Sequence, residues 1–482
     1  MSKLNIPESW AESTLEFAGT WGSGGTPLKS KKEFYGGEIN WLKTGDLNNG
    51  FVVEVPDRIT ELGLEDIGGR LYPLKTIIMA MYGATIGKLG ILDIEVAVNQ
   101  ACACCTTYEQ IYYKYLFFWL MAYRKEYIAL GQGGAQPNIS RSVIYEQPFA
   151  MPPRQEQERI VQKIESCFEK IDATEANLKK IETLLEKHRE SALAKAFRGE
   201  LVEQDPNDES ISVLLERIRE KKEKNLKAKQ EFQPIADGEK PYELPNGWEW
   251  VKLGEISKQI QYGFTASASK KGTHKFLRIT DITTEGVNWN NVPYCTPSKE
   301  DAAKLELVVG DILFARTGGT VGKSFLIKED VKNSVFASYL IKVRLNQKIV
   351  LPELLSIYFT SPAYWNFVTG SQRGAAQPNI NGTTLSNLFI PLPPIKEQFR
   401  LIKEYKHILE KIDLLKNNLK LKSSILVQQK ESILQKAFEG RLVPQIPSEG
   451  TGHELLAKIL AEKEKAIPKA AKTKTAPRKK KK

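Results

Sequence analysis

Histidine is scarce in this chain: four residues, His188, His274, His407 and His453, are scattered over 482 positions. No two lie close in sequence, which argues against chemistry that turns on a histidine base or a histidine-rich metal centre. Cysteine is nearly as rare. Five residues, an odd number, fit a reducing compartment better than a disulfide framework. Three of them crowd into Cys102-Ala103-Cys104-Cys105, but strand alternation puts Cys102 and Cys104 on one face and Cys105 on the other. Buried small side chains account for them better than a metal. No apolar run reaches ~18 residues, so no membrane-spanning helix is indicated. The opening Met1-Ser-Lys-Leu-Asn-Ile-Pro7 lacks the apolar core of a secretion signal. A cytoplasmic protein without a membrane partner is expected.

Catalytic signatures are also missing. Gly83-Ala-Thr-Ile-Gly-Lys88 and Gly318-Gly-Thr-Val-Gly-Lys323 fall one residue short of a phosphate-binding loop. A strand-like run follows each, rather than the helix whose N-terminus could hold a phosphate. Two readings remain, a plain tight turn or a turn that also presents Lys88 and Lys323 to nucleic-acid phosphates, and spacing favours the plain turn. Asn291-Val-Pro-Tyr294 departs from the Asn-Pro-Pro-Tyr type of amino-methyltransferases at Val292 and reads as a proline-containing turn. No nuclease-like set of carboxylates with a lysine stands out. The expectation is a non-catalytic chain with no cofactor and no metal.

Charge is less informative than its total. The formal net charge is +11, but the tail from Lys469 to Lys482 carries eight basic residues and no acid. Outside that tail the balance is close to even, so bulk charge does not establish nucleic-acid binding. Any such surface has to come from local clustering.

What the chain does contain is itself, twice. Ala135-Gln-Pro-Asn-Ile139, Pro152-Pro153-Arg-Gln-Glu156-Gln157 and Lys195-Ala-Phe-Arg-Gly-Glu-Leu-Val202 return as Ala376-Gln-Pro-Asn-Ile380, Pro393-Pro394-Ile-Lys-Glu397-Gln398 and Lys436-Ala-Phe-Glu-Gly-Arg-Leu-Val443. The step is 241 residues throughout, and 27 of the 68 positions from 135 to 202 are identical without a gap. A period this long is half a protein rather than a solenoid unit.

Each copy opens with a globular stretch, 1–153 and 241–394. Trp10 is matched by Trp248, and Lys43-Thr-Gly-Asp46 by Arg278-Ile-Thr-Asp281. Thr76–Tyr82 and Leu89–Leu92 predict a hairpin, and Val96–Cys105 predicts a buried strand. Tyr112–Leu130 predicts a helix corresponding to Glu353–Thr369. Each copy then enters a long helix, 154–205 and 395–446, where Pro153 and Pro394 suit the first turn. Ile164, Ile171, Leu178 and Leu185 recur at seven-residue spacing, as do Tyr405, Ile412, Leu419, Leu426 and Ile433. That is coiled-coil periodicity. A ~45-residue amphipathic helix extends roughly 65 Å and cannot bury its stripe alone, so each helix should find its duplicate. Residues 206–240 predict a charged helix from Ser212 to Gln230 and a linker, and 447–482 a short echo of that helix before the basic tail. The fold class expected is α+β: two similar mixed α/β domains, an antiparallel pair of long coiled-coil helices between them, and an internal pseudo-twofold duplication.

The loops Gln132-Gly-Gly-Ala-Gln-Pro-Asn138 and Gln372-Arg-Gly-Ala-Ala-Gln-Pro-Asn379 combine backbone freedom with amide side chains able to read an adenine edge. Both copies keep Gln-Pro-Asn, although two readers would face different sequences. A structural role therefore suits that core, and Gln132 and Arg373, just outside it, are the better readers.

A doubled order of variable domain, Gln-Pro-Asn loop, Pro-Pro-x-x-Glu-Gln helix start and Lys-Ala-Phe-x-Gly-x-Leu-Val helix end resembles the specificity (S) subunits of type I restriction–modification enzymes. The resemblance covers about residues 1–446. It implies two target-recognition domains, each reading half of an asymmetric, bipartite site on double-stranded DNA, with the helices setting the gap. It further implies assembly with two adenine-methylating modification subunits and two ATP-dependent restriction subunits, which would carry the chemistry. The DNA-contacting residues expected are Lys43, Thr44, Tyr82, Thr85, Lys88 and Gln132 in the first domain. In the second they are Arg278, Thr280, Arg316, Thr317, Thr320, Lys323 and Arg373. The outer helix faces near Glu156, Gln157, Glu397 and Gln398 are expected to recruit modification subunits. The competing expectation is a stand-alone DNA-binding protein, a regulator or anti-restriction decoy, on the same scaffold.

Overall fold

The computed structural model describes residues 4–131, 138–223, 235–283, 286–370 and 379–466. Its contacts divide the chain into two compact units, residues 1–178 with 420–482, and residues 179–419.

In the first unit a five-stranded sheet runs in the order Gly19–Gly22, Cys102–Thr107, Ile77–Ala80, Leu89–Leu92, Gly50–Val52. The expected hairpin is present, with Ile77 opposite Ile91 and Met79 opposite Leu89. Alternation sorts the strands between two cores. Ile77, Met79, Ala103 and Cys105 face one cluster with the aromatic helix Tyr113–Ala122. Ile78, Ala80, Cys102 and Cys104 face another with Leu42, Val52 and Tyr72. The three neighbouring cysteines therefore split two and one across the sheet, as alternation requires. A second, three-stranded sheet orders Arg58–Ile59, Tyr35–Leu42 and Ala97–Val98, the last pair parallel.

The second unit repeats this topology. Ser257–Tyr262, Leu340–Leu345, Asp311–Ala315 and Ser324–Leu326 form its main sheet in the corresponding order. Its small sheet is Tyr294–Cys295, His274–Leu277 and Ser334–Phe336, again with the last pair parallel. Two readings needed correction. Tyr112–Leu130 is not one helix but two, Tyr113–Ala122 and Arg124–Leu130, broken at Tyr123 with φ −93° and ψ 18°. Its counterpart is likewise two, Pro352–Tyr358 and Pro362–Gly370, and there Pro362 opens the second segment.

The long helices are Arg154–Arg198 and Ile395–Phe438. Each starts one residue after its proline, whose carbonyl accepts the Gln157 or Gln398 amide at 3.0 Å and so caps the helix rather than occupying its first turn. Both run through the boundary between units. In the first unit, Arg159 pairs with Glu449 (2.6 Å) while Lys430 pairs with Asp172 (2.7 Å), so the two stretches there are antiparallel. In the second, Arg400 pairs with Asp208 and Lys416 meets Glu186, again antiparallel. The heptad stripe is buried near the domains, at Ile164, Ile171, Tyr405 and Ile412, and only partly covered at Leu185, Leu419 and Leu426.

The repeats exchange their ends. Phe438 of the second repeat packs edge-on against Trp119 (5.1 Å between centroids) and Tyr115 (5.4 Å) in the first unit. Phe197 of the first repeat packs against Tyr358 (5.0 Å) in the second. Beyond each phenylalanine, Gly440 and Gly199 adopt φ of +69° and +73°, and a Cβ there would strike Pro7 or Pro245 at 2.2–2.3 Å. The following short helices, Gly452–Ala466 and Ile211–Glu223, close the same two sites. Gly452 N donates to Ser9 O (2.8 Å), and Ile211 N donates to Gly247 O (3.0 Å). The charged helix expected from Ser212 to Gln230 is described as far as Glu223.

Candidate nucleic-acid interface

Three sequence motifs far apart in each copy meet at one edge of its sheet. The first is a single 3-10 turn, Thr44–Asp46 in the first unit and Ile279–Asp281 in the second. In both, the aspartate carboxylate accepts the backbone N–H at the head of the turn. Lys43 N donates to Asp46 Oδ2 at 2.7 Å, and Arg278 N donates to Asp281 Oδ2 at 2.9 Å. The second motif is the hairpin turn, Gly83–Thr85 or Gly318–Thr320. It is tight because Gly83, Gly87, Gly318 and Gly322 all take positive φ. The third is the asparagine ending each Gln-Pro-Asn loop: Asn138 bridges to Tyr82, and Asn379 to Thr317.

A short crossover ties the first two motifs together. Asn99 N donates to Leu42 O (3.0 Å) and Met81 N to Ala101 O (2.8 Å). In the other unit Ala337 N donates to Leu277 O (2.9 Å) and Arg316 N to Tyr339 O (3.1 Å). Backbone hydrogen bonds therefore hold the three loops in one place while leaving their side chains free to vary.

The expected contact residues differ in availability. Tyr82 is 42% exposed, and Lys323 and Thr280 are also exposed. Lys88 and Lys323 have no ion partner among the described residues. Thr85 donates to Tyr82 O (2.8 Å) and closes its own turn. Lys43 is engaged, with Nζ 2.7 Å from Asp57 and 4.8 Å from the Trp41 ring centroid. Arg278 is held by both oxygens of Asp281. Arg316 stacks over Tyr262 with its Nε buried and unpartnered. Thr44 is half-buried in the capped turn of the first unit, and Thr317 and Thr320 are half-buried at the hairpin turn of the second. Gln132 and Arg373, with Gln136 and Gln377, lie outside the described residues. Sequence reasoning passed over Tyr262 and Tyr339, the latter 61% exposed beside Thr280 and Arg278 around a concavity of about 370 Å³. Tyr262 ends the strand Ser257–Tyr262 and Tyr339 sits in the turn before Leu340–Leu345, and only the folded sheet brings them to the edge.

The glutamate and glutamine at each helix start require a correction. Glu156, Gln157, Glu397 and Gln398 are at most 1% exposed and do not lie on an outer face. Gln157 accepts from Tyr112 N (2.8 Å) and donates to Pro152 O (3.0 Å) and Gln110 O (3.3 Å). Gln398 repeats the pattern with Leu351 N (2.8 Å), Pro393 O (2.9 Å) and Ile349 O (2.9 Å). One amide thus fastens the last loop of the domain to the first turn of the long helix. The carboxylates receive indole N–H groups, Trp10 to Glu156 at 3.1 Å and Trp248 to Glu397 at 3.0 Å. Burial pushes both carboxyl groups above their ordinary pKa, opposed by those hydrogen bonds. Polar side chains at a helix start suggest surface, but here they satisfy backbone groups that would otherwise be buried without partners.

Two mixed-sheet domains of one topology, each carrying a cation- and aromatic-bearing edge and each fastened to a long helix, define a duplicated recognition scaffold. Residues 7–183 and 245–426 match the family described as type I restriction modification DNA specificity domain, and the chain belongs to that family. It is 24% identical over 355 residues to the type I restriction enzyme EcoKI specificity subunit of Escherichia coli strain K12, covering 71% of this chain and 69% of that one. It is 28% identical over 271 residues to the EcoEI specificity subunit of Escherichia coli, covering 53% of this chain and 44% of the relative. Among solved structures, the HsdS subunit from Thermoanaerobacter tengcongensis shares the fold with a TM-score of 0.55 at 18% identity, over 90% of this chain and 98% of that one. A chain from a type I R-M system solved for its complex assembly and conformational transition gives 0.65 at 18% identity, covering 92% and 100%.

Proposed function

We propose that this chain is the DNA-reading, non-catalytic subunit of a type I restriction–modification complex, each globular domain reading one half of an asymmetric bipartite site. The observation that carries this reading is a pair of like edges bearing unlike side chains. Capping aspartate, glycine turn and asparagine bridge recur in both domains. Lys43, Tyr82 and Lys88 on one edge stand where Arg278, Thr317 and Lys323 stand on the other. Lysines with no competing ion partner suit phosphates and set position, whereas side chains on rigid turns suit base edges. Gln132 and Arg373 remain proposed readers on the loops leading to Asn138 and Asn379.

Adenine methylation and ATP-dependent cleavage are assigned to partner subunits, two of each kind. Their docking surface is proposed on the helices rather than at the buried glutamate–glutamine pairs. Leu184, Leu414 and Leu415 in the second unit, and Leu421, Ile425 and Val427 in the first, are apolar, 42–63% exposed and lie on the long helices. Apolar side chains exposed in such number on a polar helix suit burial by another helix. The domain boundaries at 153, 240 and 394 are part of this proposal, while the long helices, expected to reach 205 and 446, end at Arg198 and Phe438.

The test is an exchange of residues 1–153 for those of a relative, followed by methylome sequencing with the partner subunits present. One half-site should change while the other half and the gap persist. Change in both halves, or in neither, would refute the assignment.

A further inference from the structure

The two edges differ most sharply in how the first residue of the capped turn is held. At both positions an aspartate three residues on accepts the backbone N–H, so the turn itself is fixed regardless of side chain. In the first unit Lys43 then leans away, onto Trp41 and Asp57. In the second the guanidinium of Arg278 turns back onto its own capping group. Nε donates to Asp281 Oδ2 at 3.0 Å and Nη2 to Oδ1 at 2.7 Å. Asp281 is itself largely buried, its side chain 11% exposed against 40% for Arg278.

Arginine has five N–H donors in a planar fork. Asp281 takes the Nε–H and one Nη2–H, which are the donors along one side of the fork. The two Nη1–H groups and the other Nη2–H remain, and Nη1 with Nη2 forms the end of the fork. A guanine presents two acceptors, O6 and N7, in the major groove, and end-on arginine matches them with two parallel hydrogen bonds. Arg278 also lines two adjoining concavities, of about 370 and 390 Å³, and its side chain is 40% exposed. Tyr339 and Thr280 border the first of these, and Asn290 and Tyr294 the second.

We propose that Arg278 reads a guanine in the half-site of the second domain through its Nη1 and Nη2 groups, with Asp281 as the positioning residue that presents the fork end-on. The inference rests on the reading of this edge as a DNA-contacting surface and adds the base, the donor atoms and the group that orients them. A side chain held in advance loses less rotamer freedom on binding, so the contact discriminates rather than merely attracts. The first domain, with a lysine held by Asp57, does not make the same two-point contact at the matching position.

The experiment uses the full chain assembled with its modification subunits and the bipartite site defined by methylome sequencing. Binding is measured on that site and on duplexes altered one base pair at a time in the second half-site. Arg278→Lys should lower discrimination at one G·C pair by roughly 10- to 100-fold and leave the first half-site unaffected. Replacing that guanine with 7-deazaguanine removes the N7 acceptor. It should weaken the unaltered protein and have little effect on Arg278→Lys. Asp281→Asn should reduce the same discrimination while thermal melting shows the domain still folded. A second half-site without guanine overturns the inference. So does an Arg278→Ala change that lowers affinity equally for every sequence and reduces the salt dependence by about one phosphate, which would make Arg278 a backbone contact. Loss of the bipartite pattern in the domain exchange would defeat the broader reading instead, independently of these variants.

Discussion

Removal of the Phe438 ring probes the exchange of helix ends between repeats most sharply. The ring is 2% exposed and meets Trp119 and Tyr115 edge-on at 5.1 and 5.4 Å between centroids. Truncating a buried phenylalanine to alanine typically costs ~3–5 kcal/mol, the lost transfer energy plus a term for the space left behind. Here the space adjoins an open cleft of about 790 Å³ that Phe438 already borders, so water can enter and the dry-cavity term shrinks. The lower end, about 3 kcal/mol, is expected for Phe438→Ala. Urea unfolding followed by tryptophan emission should register it, because Trp119 is in contact with the lost ring. Hydrogen exchange should locate it, with protection falling in Tyr113–Leu130 and Gly452–Ala466 but not in Pro352–Gly370. Val427→Ala, 53% exposed on the same helix, is the control and should change stability by less than about 0.5 kcal/mol. A Phe438→Ala cost below about 1 kcal/mol, or exchange rising equally in both units, would refute the reasoning.

Two further substitutions test the buried helix starts. Gln398→Ala removes three hydrogen bonds and strands the Leu351 N–H together with two carbonyls, which should destabilise the second unit by about 2–4 kcal/mol in urea, against no change for exposed Lys396→Ala. Glu397→Gln should act oppositely. Burial raises the Glu397 carboxyl above its unfolded value, so its stabilising contribution is full below the unfolded pKa and is lost as pH rises through the folded one. A glutamine can still accept from Trp248 without a buried charge. It should therefore raise stability at pH 7 by up to about 1 kcal/mol and flatten the decline in melting temperature as pH rises through the Glu397 pKa. A loss of stability at pH 7 would mean that the carboxylate charge itself, near Arg400, is needed.

Much of this architecture is legible in the sequence. The 241-residue step carries the duplication, and period-two patterning places Ile77–Ala80 opposite Leu89–Leu92 and splits the cysteines two and one. The hairpin turn was readable because Gly83 and Gly87 are where positive φ is needed. Asn138 and Asn379 bridge to the hairpin, whereas Gln136 and Gln377, expected to share a structural role at the hinge into the long helix, lie outside the described residues. Other features were hidden for physical reasons. Glu156 and Gln157 look solvent-facing because nothing local to a helix start announces that Trp10 and the Tyr112 amide will arrive from over forty residues away. The exchanged helix ends were invisible because Phe197 and Phe438 lie in nearly identical segments, and periodicity cannot say which domain an end will cover. Tyr262 and Tyr339 are brought to the edge only by the folded sheet.

The direct test of the whole account is to lengthen both long helices by one heptad, after Leu178 and after Leu419, and sequence the methylome with the partner subunits present. Seven residues add ~10 Å of helix, about three base pairs of duplex. The account predicts a bipartite site whose halves are unchanged and whose unread gap has grown. Methylation at the original spacing would contradict it.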